Sequence, residues 1–411
     1  MIKKNIDLFF TETGKDTAVV FVGTFVNVVA GGLFFIFAPR ILGPEDYGLF
    51  STVIGTGILA TSIANLGIDT GILRFVKKDS PESNNYLSIA LQSYLVLGIL
   101  IAFLGIFISP LIAEFLKQPQ ITNLLRVASI TTIILLFTNL YVAGLQAKRH
   151  FVKAALVNIS SNVARLIILA VGALFLKIGL IFITLLFFLI PIISVIMGNL
   201  FLPIRISKIE KEKVLNFHKY NFWIALSLIV TSIPFDNYLL LKYSGPLQAG
   251  IYAAPYKILT FVYQFSSNFT RVLASRFSSF NTVTKVRNFA LKSSAFVLIF
   301  SLGLMVLILI ASPLINIIFG NEFKNSIPIF RWLTLGFIFF FASTIPTSII
   351  LYYLGKSQIT FSISFAKIIL FTTLLLLLVG RYGAIGAAIA FSITELLTFF
   401  LMSSYVLYKL I

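Results

Sequence analysis

Twelve apolar runs separated by short, charged connections decide what this chain can become. A helix rising 1.5 Å per residue needs roughly 20 apolar residues to cross a hydrocarbon core about 30 Å thick. With turn residues taken as boundaries, qualifying runs fall at 18–41, 47–71, 86–108, 121–145, 151–176 and 179–204, and again at 217–241, 247–271, 289–319, 327–353, 358–379 and 384–408. No water reaches backbone groups inside a bilayer, so each run must close its hydrogen bonds internally, as a helix. A soluble core could not bury this much apolar side chain: the chain is 58% hydrophobic, with 43 Phe and only 11% charged residues. No cleavable signal peptide is expected, because Met1 to Thr17 mixes Lys3, Lys4, Asp7, Glu12, Lys15 and Asp16 without an apolar core. Cysteine is absent, which excludes disulfides, thiolate metal sites and a cysteine nucleophile.

The runs come in two sets. Gly43-Pro44-Glu45-Asp46-Tyr47-Gly48-Leu49-Phe50 returns 202 residues later as Gly245-Pro246-Leu247-Gln248-Ala249-Gly250-Ile251-Tyr252, joining two apolar runs in both places. At the same offset Arg74-Phe75 meets Arg276-Phe277; at 203 Ser109-Pro110-Leu111-Ile112 meets Ser312-Pro313-Leu314-Ile315, and at 205 Arg126 meets Arg331. Asn158, Asn162 and Arg165 fall on Thr360, Ser364 and Lys367, again at 202. The order and near-constant offset indicate an internal duplication. The Gly-Pro octet is expected to act as a hairpin, its glycines and proline turning the chain at the membrane surface.

Lys and Arg favour the cytoplasmic side of the connections. One side carries 21 of them, including Arg74, Lys77 and Lys78, the run Arg205, Lys208, Lys211, Lys213 and Lys219, and the set Arg271, Arg276, Lys285, Arg287 and Lys292. The other side carries seven, among them Arg40, Lys117 and Lys177. Both termini are therefore expected in the cytoplasm. Six spans per half give both copies the same direction, the parallel-repeat arrangement in which a substrate site lies between the halves. The expected fold is an all-α polytopic membrane protein with 12 transmembrane helices in two parallel six-helix repeats, or lobes, around a central cavity. Residues 1–207 form the N-lobe and 208–411 the C-lobe.

Charges at bilayer depth cost a few kcal/mol or more, so they nominate functional sites. On the fifth span Asn158, Asn162 and Arg165 share one face at spacings of four and three. Arg165 is expected opposite Ile190 or Pro191, with no acid in reach across its hairpin, and is a site candidate. On the eleventh span Lys367 lies about as far before the hairpin as Glu395 lies after it, a placement that suits a structural ion pair and leaves gating open. The eighth span carries Lys257, Thr260, Gln264, Asn268 and Arg271 at helical spacing, a stripe too polar for lipid and suited to a hydrated cavity. The equivalent face of the second span reads Gly55, Ile58, Ser62, Leu66 and Asp69, with Asn65 beside it, which is plainer and ends acidic. Asp236 lies about one turn from the depth of Lys257; the two suit either a static pair or one that opens to an anion or a proton. Arg126 is placed near enough to an interface to be hydrated. His150 and His218, the only histidines, sit in connections, and no acids or histidines stand at metal-ligand spacing, so catalysis finds no residue set.

The segment Pro39 through Phe50, PRILGPEDYGLF, with DNYLLLKYSGPLQAGIYAAPYKI from Asp236 to Ile258, resembles the Wzx-type polysaccharide flippases of the multidrug/oligosaccharidyl-lipid/polysaccharide exporter superfamily. The resemblance covers the whole chain. It implies two lobes that rock to expose a cationic central cavity to each side in turn, and an undecaprenyl-pyrophosphate-linked oligosaccharide as cargo. Lys257, Arg271, Arg165, Arg74 and Arg276 could then receive the pyrophosphate, and Gln264, Asn268, Asn158 and Asn162 the sugar. Asp236, Asp69, Glu395 and Lys367 become candidates for ion coupling or gating, with a proton or sodium ion as the coupling ion and no cofactor. The expected partners are the lipid-linked sugar, the bilayer and other polysaccharide-assembly membrane proteins, not nucleic acid, and the expected location is a bacterial or archaeal inner membrane. Two rivals remain: a drug or cation antiporter of the same superfamily, which would favour an acidic cavity, and a membrane-embedded polysaccharide polymerase or ligase.

Overall fold

The computed structural model describes residues 12–77, 80–175, 178–207 and 210–410. The first eleven residues and Lys78, Lys177 and Lys208, which enter the charge asymmetry, lie outside the described residues. Every regular element among the described residues is helical. Eight helices there are long and apolar enough to cross a membrane, from Val26–Asn65 to Ser357–Leu410.

The chain divides into two compact units, one holding residues up to Leu42 together with Leu49–Pro234, the other Gly43–Gly48 and the chain from Phe235 onward. The first unit contains most of α1 (Glu12–Asn65), then α2 (Ile68–Phe75), α3 (Ser83–Phe115), α4 (Thr122–Ile130), α5 (Thr132–Ala147), α6 (Phe151–Phe175), α7 (Leu180–Leu189), α8 (Ile192–Phe201) and α9 (Lys211–Ser232). Its core is built from one stripe per helix: Ile68, Ile72 and Val76 against Leu87, Ala90 and Tyr94 of α3 and Leu136, Leu140 and Tyr141 of α5. The opposite side of α3 exposes Val96, Ile99, Phe103, Phe107 and Leu111 at spacings of three and four. A stripe of that size facing outward is stable only against hydrocarbon.

The second unit contains α10 (Phe235–Leu259), α11 (Phe261–Phe277), α12 (Val283–Leu309), α13 (Ala311–Phe319), α14 (Ser326–Ala342), α15 (Thr344–Ser348) and, past a π-helical turn at Ile349–Tyr353, α16 (Ser357–Leu410). Hydroxyls tie these helices together: Ser326 donates to the Ile251 carbonyl at 2.7 Å, Ser244 to the Val379 carbonyl at 2.9 Å, and Ser266 meets Thr344 at 3.1 Å. Such bonds, with close packing, replace the hydrophobic drive that lipid does not supply.

The duplication is visible in the backbone. Gly43 breaks α1 with φ 70° and ψ 172°, and Gly245 breaks α10 with φ 85° and ψ 173°. Only glycine takes that conformation without strain. Lys117, with φ 57°, precedes a 3₁₀ turn at Pro119–Ile121, as Gly320, with φ 88°, precedes one at Asn321–Phe323. One part of the hairpin reading changes. Gly43 and Gly245 turn the chain, but Gly48 and Gly250 lie inside helices and serve contact. A Cβ on Gly48 would fall on the Pro246 carbonyl, and one on Gly250 on the Pro44 carbonyl, so the two copies of the motif, both in the second unit, pack reciprocally backbone to backbone.

Gly48→Ala or Gly250→Ala therefore forces the two hairpins apart and is expected to destabilise by about 1–3 kcal/mol, as overpacking does. Gly303→Ala in α12, where a Cβ meets nothing within 4 Å, should leave the thermal midpoint unchanged or raised, the gain being about 0.5–1 kcal/mol of helix preference. Thermal unfolding of the three variants in detergent checks the contrast.

Candidate functional site

In the first unit α6 brings Asn162 and Arg165 together. Arg165 Nη1 donates to Asn162 Oδ1 at 2.8 Å, and Asn162 Nδ2 donates in turn to Asn27 Oδ1 of α1 at 2.7 Å. The guanidinium carbon stands 4.3 Å from the ring centre of Phe187 in α7. Phe187 belongs to an aromatic cluster with Phe34, Phe35, Phe50 and Phe188. Arg165 is only 7% exposed, and its Nε has no hydrogen-bond partner. A ring face and an amide relay thus hold the cation, the former contributing about 2 kcal/mol when desolvated. Phe187 stands where Ile190 or Pro191 was expected, one turn away. Asn158 does not join the cluster; it is exposed.

At the other end of this unit Asn65 is buried and its Oδ1 accepts from the Tyr94 hydroxyl at 2.7 Å and from the Asp69 amide at 3.4 Å. Asp69 is half-buried and takes the Thr70 amide at 2.8 Å. Arg74 is exposed, its guanidinium 4.1 Å from the centre of the Tyr220 ring. Arg126 reaches Asn123 Oδ1 at 3.2 Å.

In the second unit the polar stripe runs down one side of α10 and α11. Lys257 and Thr260 are half-buried, and Gln264, Asn268, Arg271 and Arg276 are exposed. The opposite side of α11 buries Val262, Ser266, Leu273 and Phe277. The helix is therefore amphipathic in the chemical sense, apolar toward its neighbours and basic and amide-bearing on the open face.

Asp236 Oδ2 accepts from the Tyr252 hydroxyl at 3.0 Å and Oδ1 from the Asn237 amide at 2.9 Å. Sequence placed Lys257 near it; Tyr252 is a donor that reaches the carboxylate. Tyr252 stacks on Tyr256 with ring centres 5.6 Å apart, and the Tyr256 hydroxyl lies 3.4 Å from that of Tyr263. This tyrosine series, two rings on α10 and one on α11, was missed, although its spacing of four and seven was there to be read. Lys367 Nζ meets Glu395 Oε1 at 2.6 Å with Lys367 29% and Glu395 2% exposed. Glu395 Oε2 has no partner.

A sequence profile described as "Polysaccharide biosynthesis protein" matches residues 37–328, more than half of the chain. The chain belongs to this family. A relative from Shigella flexneri named "Putative O-antigen transporter" is 26% identical over 388 residues, covering 88% of this chain and 90% of the relative. An uncharacterized membrane protein of Methanocaldococcus jannaschii is 23% identical over 406 residues, covering 94% of this chain and 95% of its own. Among solved structures, the inward-facing form of a multidrug resistance MATE family transporter of the MOP superfamily aligns with a TM-score of 0.75 at 15% identity, covering 94% of each chain. The lipid II flippase MurJ in an inward closed conformation aligns at 0.76 and 16% identity, covering 95% of this chain and 87% of that one. The fold is that of these transporters.

Lys367→Met leaves the Glu395 carboxylate buried without its cation, and removing one member of a buried pair costs about 3 kcal/mol or more. The double variant Lys367→Met with Glu395→Leu should recover most of the loss. Thermal midpoints of the two variants decide whether the pair is structural.

Proposed function

We propose that this protein is a flippase that carries an undecaprenyl-pyrophosphate-linked oligosaccharide from the cytoplasmic to the outer leaflet of an inner membrane, by alternating access and without covalent chemistry. The observation that carries the reading is the polar stripe of α10 and α11, where Gln264, Asn268 and Arg271 are exposed and Lys257 is half-buried at helical spacing. A pyrophosphate asks for fixed cations, and a sugar asks for amides. Family membership, the name of the Shigella relative and the MurJ fold support the same class of cargo.

In this reading the chain crosses the membrane twelve times in two six-helix repeats with both termini inside, the glycines at 43, 245 and 383 marking hairpins within the long helices. Lys257 and Arg271 receive the pyrophosphate, with Arg74 and Arg276 at the cytoplasmic entrance. Arg165, held by Phe187 and Asn162, presents its unpartnered Nε, and Asp236 with its tyrosines gates. The interior of the cell is electrically negative, so two negative charges moving outward gain roughly 4–5 kcal/mol per 100 mV. The field then biases export, and a proton or sodium ion moving inward would add to it.

The MATE likeness keeps a cation antiporter as the second reading. Deletion of the gene, followed by mass spectrometry of lipid-linked sugars on each membrane face, separates the two. A flippase leaves one complete repeat unit accumulated on the cytoplasmic face, and Lys257→Ala restores export at no more than about a tenth of the wild-type rate, as loss of one charged hydrogen bond implies. Unchanged lipid-linked sugars in the deletion, or full activity of Lys257→Ala at normal protein level, would contradict it.

A further inference from the structure

The second unit carries a groove of about 610 Å³ between α12, the α14–α15 region and the last turns of α16. Its floor is Val297, Ile345, Ile349 and Val406, all buried; Leu291, Leu298 and Leu407 stand along its rim and are exposed. Arg287 is the one charged residue among those lining it, and it is the first of them along α12. From Arg287 to Ser301 the groove follows α12 for fourteen residues, about 21 Å at the helical rise. It is thus an apolar trough with a single cation at its mouth, somewhat longer than one leaflet's share of a hydrocarbon core about 30 Å thick.

The duplication says what a closed version looks like. In the first unit the equivalent stretch of α3 is covered by the chain itself after α8. The Ser207 amide donates to Ser88 Oγ at 2.9 Å, Gln92 Nε2 donates to the Ser207 carbonyl at 3.0 Å, and Leu202 packs into the core beside Leu87. Ser88 and Gln92 lie 202 residues before Ala290 and Ser294, and both of these line the groove. In the second unit α16 is still helical at Lys409, the position 202 residues after Ser207, so among the described residues that stretch does not fold across the groove. The two side chains that fasten the cover in one copy have become groove wall in the other.

We propose that this groove binds one acyl chain of an anionic phospholipid, its phosphate on Arg287. In the orientation proposed above, the mouth lies at the cytoplasmic surface and the trough ends in mid-membrane; only that sidedness rests on the flippase reading. A monoanionic glycerophospholipid matches both the single cation and the one-leaflet depth. A polyprenyl carrier is too long for a trough that stops within the bilayer.

Native mass spectrometry of the full chain, purified in detergent and exchanged into mixed micelles of phosphatidylglycerol or phosphatidylcholine, tests the site with no sugar cargo present. One phosphatidylglycerol molecule should remain bound. Arg287→Gln, an exposed position that leaves the fold intact, should weaken its retention about fivefold, the factor expected from one basic residue at a membrane surface. Ser301→Trp, which fills the trough, should abolish it. Equal retention of both lipids, no retained phospholipid, retention unaffected by Arg287→Gln, or retention of a polyprenyl lipid in its place would overturn the proposal. If Ser301→Trp does not fold, Arg287→Gln alone decides. Failure of flipping with phosphatidylglycerol still bound would overturn the flippase and leave the lipid site standing.

Discussion

Hydrocarbon offers no hydrogen bonds, and nearly every polar arrangement in this molecule answers to that fact. Hydroxyls turn back onto their own helices: Thr56 onto the Thr52 carbonyl, Thr334 onto Phe330, Thr394 onto Ala390 and Thr398 onto Thr394. Charges that cannot be placed in water are given a neighbour. Lys367 lies on Glu395, Asp236 takes a tyrosine hydroxyl and an amide, and Arg165 lies on the face of Phe187. Polar side chains are left open along Gln264, Asn268 and Arg271, where facing lipid would be costly, and this is the face proposed above to meet the cargo.

The two repeats solve this constraint with one backbone and two sets of side chains. The positive-φ breaks at Gly43 and Gly245, and at Lys117 and Gly320, keep the frame. The linings diverge. One copy breaks its helix at Leu66 and Gly67, both with positive φ, where the other runs α11 unbroken through Asn268. The matching cation is held by an aromatic ring in one copy and by a buried carboxylate in the other. The reciprocal contact of Gly48 and Gly250 shows why the motif recurs in both copies: each glycine makes room for the other's backbone.

Much of this was legible beforehand, because apolar length and turn residues are local signals. Eight long apolar helices lie within the expected runs, the run at 217–241 is interrupted at Ile233-Pro234, and the depth argument for Lys367 and Glu395 succeeds since equal distance from a hairpin is a geometric statement. What escaped needed knowledge of rotation about the helix axis. Phe187 meets Arg165 and Tyr252 meets Asp236, yet a chain so rich in Phe and Tyr gives no reason to prefer one ring over its neighbours. Asn158, on the same stripe as Arg165, is exposed because a helical face is wider than one contact. Gly48 looked like turn chemistry because tight turns and tight helix crossings call for the same residue.

Translocation by the basic face of α10 and α11 is tested most directly with purified protein in liposomes carrying a labelled pyrophosphate-linked sugar in one leaflet. The fraction reaching the other leaflet is measured with and without an imposed potential, beside uptake of an organic cation. A flippase moves the lipid-linked sugar, faster when the receiving side is positive, and leaves the cation outside. Cation uptake with the pyrophosphate lipid held in its original leaflet would contradict it.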